Sequence, residues 1–264
     1  MASREERARS FGAIADDYDR LRPSPPEAAV DWLLPARREV AIDLAAGTGL
    51  LSRMLAKRFE RVVAVEPDAR MATVLRARSP GVRAVPGTAE AIPVADASAD
   101  GLFVSSAWHW MDPDRAIPEI ARVLRDGGRF GVIWTSRDHD VEWLRELGGS
   151  RMISQRRGPD AADPDGQDPA RPRSWRRTAT LPSGGLFGNI ETESFTFTRM
   201  MTVSGFVDML GTYSGVITAS QEDRAAALAS ARATLEQRFP GAEEVEVPMR
   251  AWCWRADRVP RPAS

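Results

Sequence analysis

The stretch VAIDLAAGTGLLSRML, Val40–Leu55, decides how this chain is read. A short β-branched run ends in Asp43; two alanines and Gly47-Thr48-Gly49 follow; then apolar residues recur at helical spacing. Small residues between a strand and a helix let a ligand approach the backbone and meet the helix N-terminus. In a doubly wound sheet this turn lies at the carboxyl end of the first strand, where ligands bind. The next strand-like run, RVVAVE (61–66), ends in Glu66, 17 residues beyond Gly49. An acid there accepts hydrogen bonds from ribose hydroxyls, and it has little other structural reason to precede Pro67. Turn and acid together point to an adenosine-containing cofactor.

Outward from this stretch, strands and helices alternate. Helical spacing is predicted over 50–59 and 68–79, and strands over 82–87, 100–106 and 129–135. A helix over 112–128 starts with Asp112 as N-cap and Pro113 at its first position, and closes on Gly127-Gly128. This order implies βαβ units and a parallel sheet. Residues 1–39 read as two helical pieces around the prolines at 23–26, forming an N-terminal lid, and 40–135 as the cofactor-binding core. Residues 137–180, rich in Pro, Asp, Gly and Arg, read as a long exposed loop. A strand over 189–198, helices over 204–215 and 222–239, and a final strand over 243–257 complete the chain, with 198–240 as a helical cap inserted before that strand. The expected architecture is a single α/β domain, 1–264, with a doubly wound, mostly parallel seven-stranded sheet.

The net charge of −1 gives no global field toward nucleic acid or membrane. Arginines 171, 173, 176 and 177 surround Trp175, but four aspartates just upstream offset them, so this run reads as a solvated or substrate-covering loop. Lys57 is the only lysine, the mark of a GC-rich, bacterial genome. The single cysteine, Cys253 in AWCW, excludes an internal disulfide and reads as a small core residue. No His, Cys, Asp or Glu cluster has metal-ligand spacing. The charged start MASREERARS is not a signal peptide, and no apolar run is long enough to span a membrane, so a soluble cytoplasmic protein is expected.

The turn aligns in two ways. As Gly47-x-Gly49-x-x-Ser52 it is an imperfect dinucleotide fingerprint, which keeps a nicotinamide-dependent oxidoreductase as an alternative. As Asp43-x-Ala45-x-Gly47-x-Gly49 it resembles motif I of the class I S-adenosylmethionine-dependent methyltransferases. VEPDARM (65–71) is similar to that family's acidic motif after the second strand, and GTAEAIPVADASAD (87–100) to its adenine segment. The run from Ser105 to Trp134 resembles its fourth strand, helix and fifth strand, and FGAIADDYDRLRPSPP (11–26) the lid of a bacterial small-molecule branch. The resemblance covers about residues 11–135.

It implies methyl transfer from S-adenosylmethionine to a small-molecule acceptor, releasing S-adenosylhomocysteine, by a monomer or homodimer. Asp43, Ala45, Gly47, Thr48 and Gly49 would form the turn around the cofactor; Glu66 and Pro67 would meet its ribose. Met71, Thr88 and Ala89 would lie at the adenine, Ser105 at the end of the fourth strand, and Tyr18 over the cofactor or facing the acceptor. Arg22 is a candidate partner for a carboxylate. Ala45 stands where the family has its first glycine; its methyl fits if φ stays negative. Thr88 stands in place of an acid, and Ser106 in place of a glutamine. His109, in AWHW, is the candidate base, kept neutral by water exclusion between Trp108 and Trp110. The alternative reading is a wall-shaping histidine. SSAW replaces the Asn/Asp-Pro-Pro-aromatic motif of nucleic-acid amino methyltransferases, so nucleic acid is not an expected partner. Beside methyl transfer stand a cyclase-like enzyme and a non-catalytic binder of the same cofactor.

Overall fold

The computed structural model describes residues 10–147 and 185–260. Most of the expected long loop, 148–180, lies outside them. The strands are β1 (Val40–Leu44), β2 (Arg61–Val65), β3 (Arg83–Val85), β4 (Ala99–Ser105), β5 (Leu124–Arg137), β6 (Phe187–Thr202) and β7 (Glu244–Arg258). They form one seven-stranded sheet in the order β3-β2-β1-β4-β5-β7-β6. β1 pairs in parallel with β2 (Leu44 opposite Val65) and with β4 (Asp43 opposite Phe103), so the order reverses between them. Ligands bind outside the carboxyl ends of the strands at such a reversal.

The helices are α1 (Ala15–Leu21), α2 (Glu27–Leu33), α3 (Leu50–Leu55), α4 (Ala69–Arg78), α5 (Pro113–Val123), α6 (Glu142–Glu146), α7 (Val203–Leu210), α8 (Ser214–Ile217) and α9 (Gln221–Arg238). The described residues fall into two compact units. One holds 23–135, 185–195 and 251–260; the other holds 10–22, 136–147 and 196–250.

In the first unit every residue of β1 is buried, because helices cover both faces of the sheet. Val40, Ile42 and Leu44 face one apolar cluster with Leu102, Val104 and the α5 residues Ile117 and Ile120. Ala41 faces the other, with Phe103, the α2 residues Val30 and Leu33, and Leu51 and Leu55 of α3. Alternate residues of one strand thus supply opposite cores, as the two-residue repeat requires. Helix α2, expected in the lid, is instead part of this core: Ala29, Val30 and Leu33 are fully buried against the sheet. Cys253 is buried in β7 as expected, and burial pushes its thiol up to about 12.

The α5 helix ends at Val123, five residues before the sequence reading placed its end. Leu124 already pairs with Ala99, and the register then jumps so that Arg129 opposes Gly101. Gly127, at φ +72°, therefore turns the chain inside β5 instead of closing a helix. In the second unit, α6, α7, α9 and β7 share a core of Trp143, Phe206, Leu210, Leu235 and Val247.

Asp100 fastens the start of β1. Its buried carboxylate accepts the backbone N–H groups of Glu39 and Val40, each at 2.9 Å, and pairs with Arg125. Burial raises its pKa, but the N–H of Val40, the Arg125 guanidinium and the N–H of Glu39 together hold it below the usual carboxylate value. The group therefore stabilises the fold above its unfolded pKa, and that contribution is lost as pH falls through the lower folded value. Asp100→Ala is expected to lower unfolding free energy by about 3 kcal/mol in urea titrations, since two backbone donors lose their acceptor. A loss below about 1 kcal/mol would contradict this role.

Candidate functional site

The site assembles at the carboxyl ends of β1, β2 and β4. After Leu44 the backbone enters the left-handed region three times, at Ala45 (φ +54°), Gly47 (φ +59°) and Gly49 (φ +85°). Gly49 has a second reason to lack a side chain: a Cβ there would stand 3.0 Å from Leu75 Cγ and 3.1 Å from Ser79 Oγ. Ala45 does not keep the negative φ on which an easy fit of its methyl depends. The turn curls back toward β2, with the Ala46 N–H donating to the Val65 carbonyl at 3.2 Å, and this path imposes the left-handed conformation on a residue with a Cβ. Such a residue costs about 1–2 kcal/mol.

Glu66 braces this turn. Its Oε2 accepts the Gly47 N–H at 2.8 Å, and its Oε1 accepts the Asp68 N–H at 2.8 Å. The sequence alone offers little structural reason for an acid before Pro67; these two bonds supply one, joining the turn after β1 to the turn after β2. Each carboxylate oxygen has a further lone pair, so both remain able to accept a ligand hydroxyl. Burial pushes the Glu66 carboxyl above its ordinary value, against the opposing pull of the Asp68 and Gly47 N–H groups.

Asp43 lies at the floor. Its Oδ2 accepts the Ser52 hydroxyl at 2.5 Å, which ties the end of β1 to the first turn of α3. Burial pushes its pKa up to about 7, the Ser52 bond opposing, with the nearby Glu66 charge adding to the rise. Thr48 is buried, and its Oγ1 has no hydrogen-bond partner among the described residues. Met71 is buried against the turn, its Cε 3.5 Å from where a Gly47 Cβ would stand. Pro67 is exposed, and Asp68 caps α4 by accepting the Arg70 N–H at 2.9 Å.

The segment after β3 closes on itself through the Ala91 N–H and the Thr88 carbonyl, leaving Thr88 exposed and Ala89 buried. Ser105 ends β4 opposite Ile133 of β5. Ser106, at φ +54°, sends the chain into the 3-10 turn Trp108–Trp110. There Trp108 is buried but His109 is exposed, its ring 4.4 Å from that of Trp110. The two tryptophans therefore do not exclude water from His109. A three-residue turn points successive side chains apart, so Trp108 enters the core while its neighbour faces solvent. Tyr18 and Arg22 belong to the other unit. Among the described residues no group of His, Cys, Asp and Glu is arranged to hold a metal ion, and no helix is long and apolar enough to cross a membrane.

A glycine turn braced by a strand-end acid at a sheet's reversal point is an arrangement of the doubly wound α/β class. The chain matches the methyltransferase domain family over residues 42–132. It is 42% identical over 233 residues to an uncharacterized methyltransferase of Mycobacterium tuberculosis, covering 88% of each chain. A solved structure from Anaeromyxobacter dehalogenans, a proposed type II methyltransferase, superposes with a TM-score of 0.70 at 28% identity, over 91% of this chain and 99% of that one. The phosphoethanolamine N-methyltransferase 2 of Haemonchus contortus, solved with phosphomonomethylethanolamine and S-adenosylhomocysteine, shares the fold at a TM-score of 0.56 and 16% identity, over 99% of this chain and 61% of that one. The chain belongs to the class I methyltransferases.

The raised pKa of Asp43 has a measurable consequence. In the folded state this carboxyl holds its proton to about 7, whereas the unfolded one releases it near the ordinary value. Stability is then greatest below the unfolded pKa and declines as pH rises toward 7. Asp43→Asn, which keeps an acceptor for Ser52, should flatten that decline in thermal unfolding between about pH 4 and 7, relative to the wild type. An unchanged profile would place the titrating group elsewhere.

Proposed function

We propose that this chain transfers a methyl group from S-adenosylmethionine to a small-molecule acceptor and releases S-adenosylhomocysteine. The observation that carries this reading is the Glu66 carboxylate joined to the Gly47 N–H at the mouth of β1 and β2. Membership in the methyltransferase family supports it.

The residues present fit such a cofactor. Glu66 keeps lone pairs for the two ribose hydroxyls, and Gly47 leaves the turn without a side chain beside Met71, where the adenosine would lie. The buried Thr48 hydroxyl is a polar group without a partner among the described residues, suited to a ligand's polar atoms. Met71 and Ala89 offer apolar contacts for adenine, and Asp43 supports the turn from beneath through Ser52. When bound, S-adenosylmethionine supplies an electrophilic methyl on a sulfonium.

The chain's contribution is then chiefly alignment, which alone lowers barriers by many kcal/mol, about 7–11 in favourable cases. Where the acceptor must lose a proton, we assign that step to His109, which stands in the 3-10 turn directly after β4. Its exposure allows the proton to pass directly to solvent.

Calorimetric titration should show binding of S-adenosylhomocysteine and none of NAD. Glu66→Ala should weaken that binding by about 1–3 kcal/mol, the scale of a lost charged acceptor. Unchanged affinity in this variant would remove Glu66 from the site. In labelled methyl-transfer assays, His109→Ala should reduce kcat by about 10²-fold while S-adenosylhomocysteine affinity is kept. Full activity in this variant would mean that His109 takes no proton.

A further inference from the structure

The second unit contains a buried cation that methyl transfer does not explain. Arg137, the last residue of β5, is only 5% exposed. Its guanidinium makes no hydrogen bond or ion pair among the described residues, and its Nε is a buried donor without a partner. The adjacent carboxylate, Asp138, is taken by Arg250, whose Nε and Nη2 donate to Asp138 Oδ2 at 3.1 and 2.8 Å. What faces Arg137 instead is the ring of Tyr213, 5.6 Å from its guanidinium carbon. The Tyr213 hydroxyl is itself buried and without a partner among the described residues.

A second guanidinium, Arg22, stands 4.3 Å from the centre of the same ring and 5.2 Å from that of Tyr18. Arg22 likewise has no carboxylate partner among the described residues. Two cations and one hydroxyl thus converge on one tyrosine with no counter-charge among the described residues. An aromatic face attracts a cation, but less strongly than an anion does, and it leaves the N–H donors unused. Burial pulls the Arg137 pKa below its ordinary value, with only the Tyr213 oxygen opposing. A buried, uncompensated charge opposes folding, so stability does not account for it.

We propose that Arg137, Arg22 and the Tyr213 hydroxyl form a binding site for the oxyanion of a small molecule, a carboxylate or a phosphate. The planar guanidinium of Arg137 offers two parallel N–H donors to such a group, Tyr213 adds an O–H, and Arg22 adds the second charge. The oxyanion belongs either to the methyl acceptor, in which case the site deepens the function proposed above, or to a separate effector. β5 carries Ile133, opposite Ser105, and Arg137 four residues further along.

The test uses the full-length chain saturated with S-adenosylhomocysteine and three probes at equal ionic strength: benzoate, inorganic phosphate and chloride. Benzoate or phosphate at millimolar concentration should raise Tm saturably, and chloride should not. Arg137→Met should lose that response and, with no buried cation to carry, should unfold at a Tm no lower than the wild type. Tyr213→Phe, which keeps the ring, should weaken probe binding several-fold, and Arg137→Lys, which keeps the charge without the fork, about 10-fold. Equal responses to all three probes would overturn the proposal, as would an undiminished response in Arg137→Met. So would an Arg137 already neutralised by an acid outside the described residues, which gives no response at all.

The source of the oxyanion follows from kinetics with any acceptor that is methylated. Competition between benzoate or phosphate and that acceptor, with a raised KM in Arg137→Met, assigns the site to the acceptor. A changed kcat without competition assigns it to an effector. Anion binding without methyl transfer would sink the function proposed above and leave this site standing. Methyl transfer without anion binding would do the reverse.

Discussion

The site depends on one carboxylate. Glu66 accepts two backbone N–H groups, from Gly47 in the turn after β1 and from Asp68 at the start of α4. Neither donor can reach a partner within its own element, since Gly47 is in a left-handed turn and Asp68 precedes the first full turn of its helix. A buried donor left unpaired costs about 1–3 kcal/mol, so the acid stabilises the very loop that a ligand must approach. The same side chain is thus structural and available for binding, and its second lone pairs make the two roles compatible.

Around that clamp the polar groups are graded by depth. Asp43 lies deepest, bonded only to Ser52, and its carboxyl is pushed up to about 7. Glu66 lies nearer the surface, and its two backbone donors oppose the effect of burial. Asp68, at the rim, is held below its ordinary value, chiefly by Arg70. Negative charge therefore concentrates where the β2 turn opens outward, while the floor beneath the glycine turn carries only part of a charge near pH 7. The rim thus offers charged acceptors to hydroxyl donors.

Much of this was legible in the sequence because it depends on local chemistry. The alternation of apolar runs placed β1, β2 and β4 to within a residue or two, and glycine with a strand-end acid marked the turn that Glu66 braces. Other features depend on partners distant in sequence. The positive φ of Ala45 follows from the return of the turn toward Val65, 20 residues on, which no local pattern reveals. The early end of α5 reflects pairing of Leu124 with Ala99, which overrode the Gly-Gly stop signal. The exposure of His109 reflects a 3-10 turn that buries Trp108 alone. The convergence of Arg22, Arg137 and Tyr213 joins positions spread over more than 190 residues; of the three, the sequence singles out only Arg22, as a candidate partner for a carboxylate.

We propose that the braced turn holds an adenosyl cofactor through Glu66, and a crystal structure of the full chain with S-adenosylhomocysteine would show whether it does. Both ribose hydroxyls should lie within about 3 Å of the Glu66 carboxylate, with the bond from the Gly47 N–H intact. A ligand bound away from Glu66, or a Glu66 side chain turned from Gly47 to reach it, would mean that the braced turn is not the cofactor site.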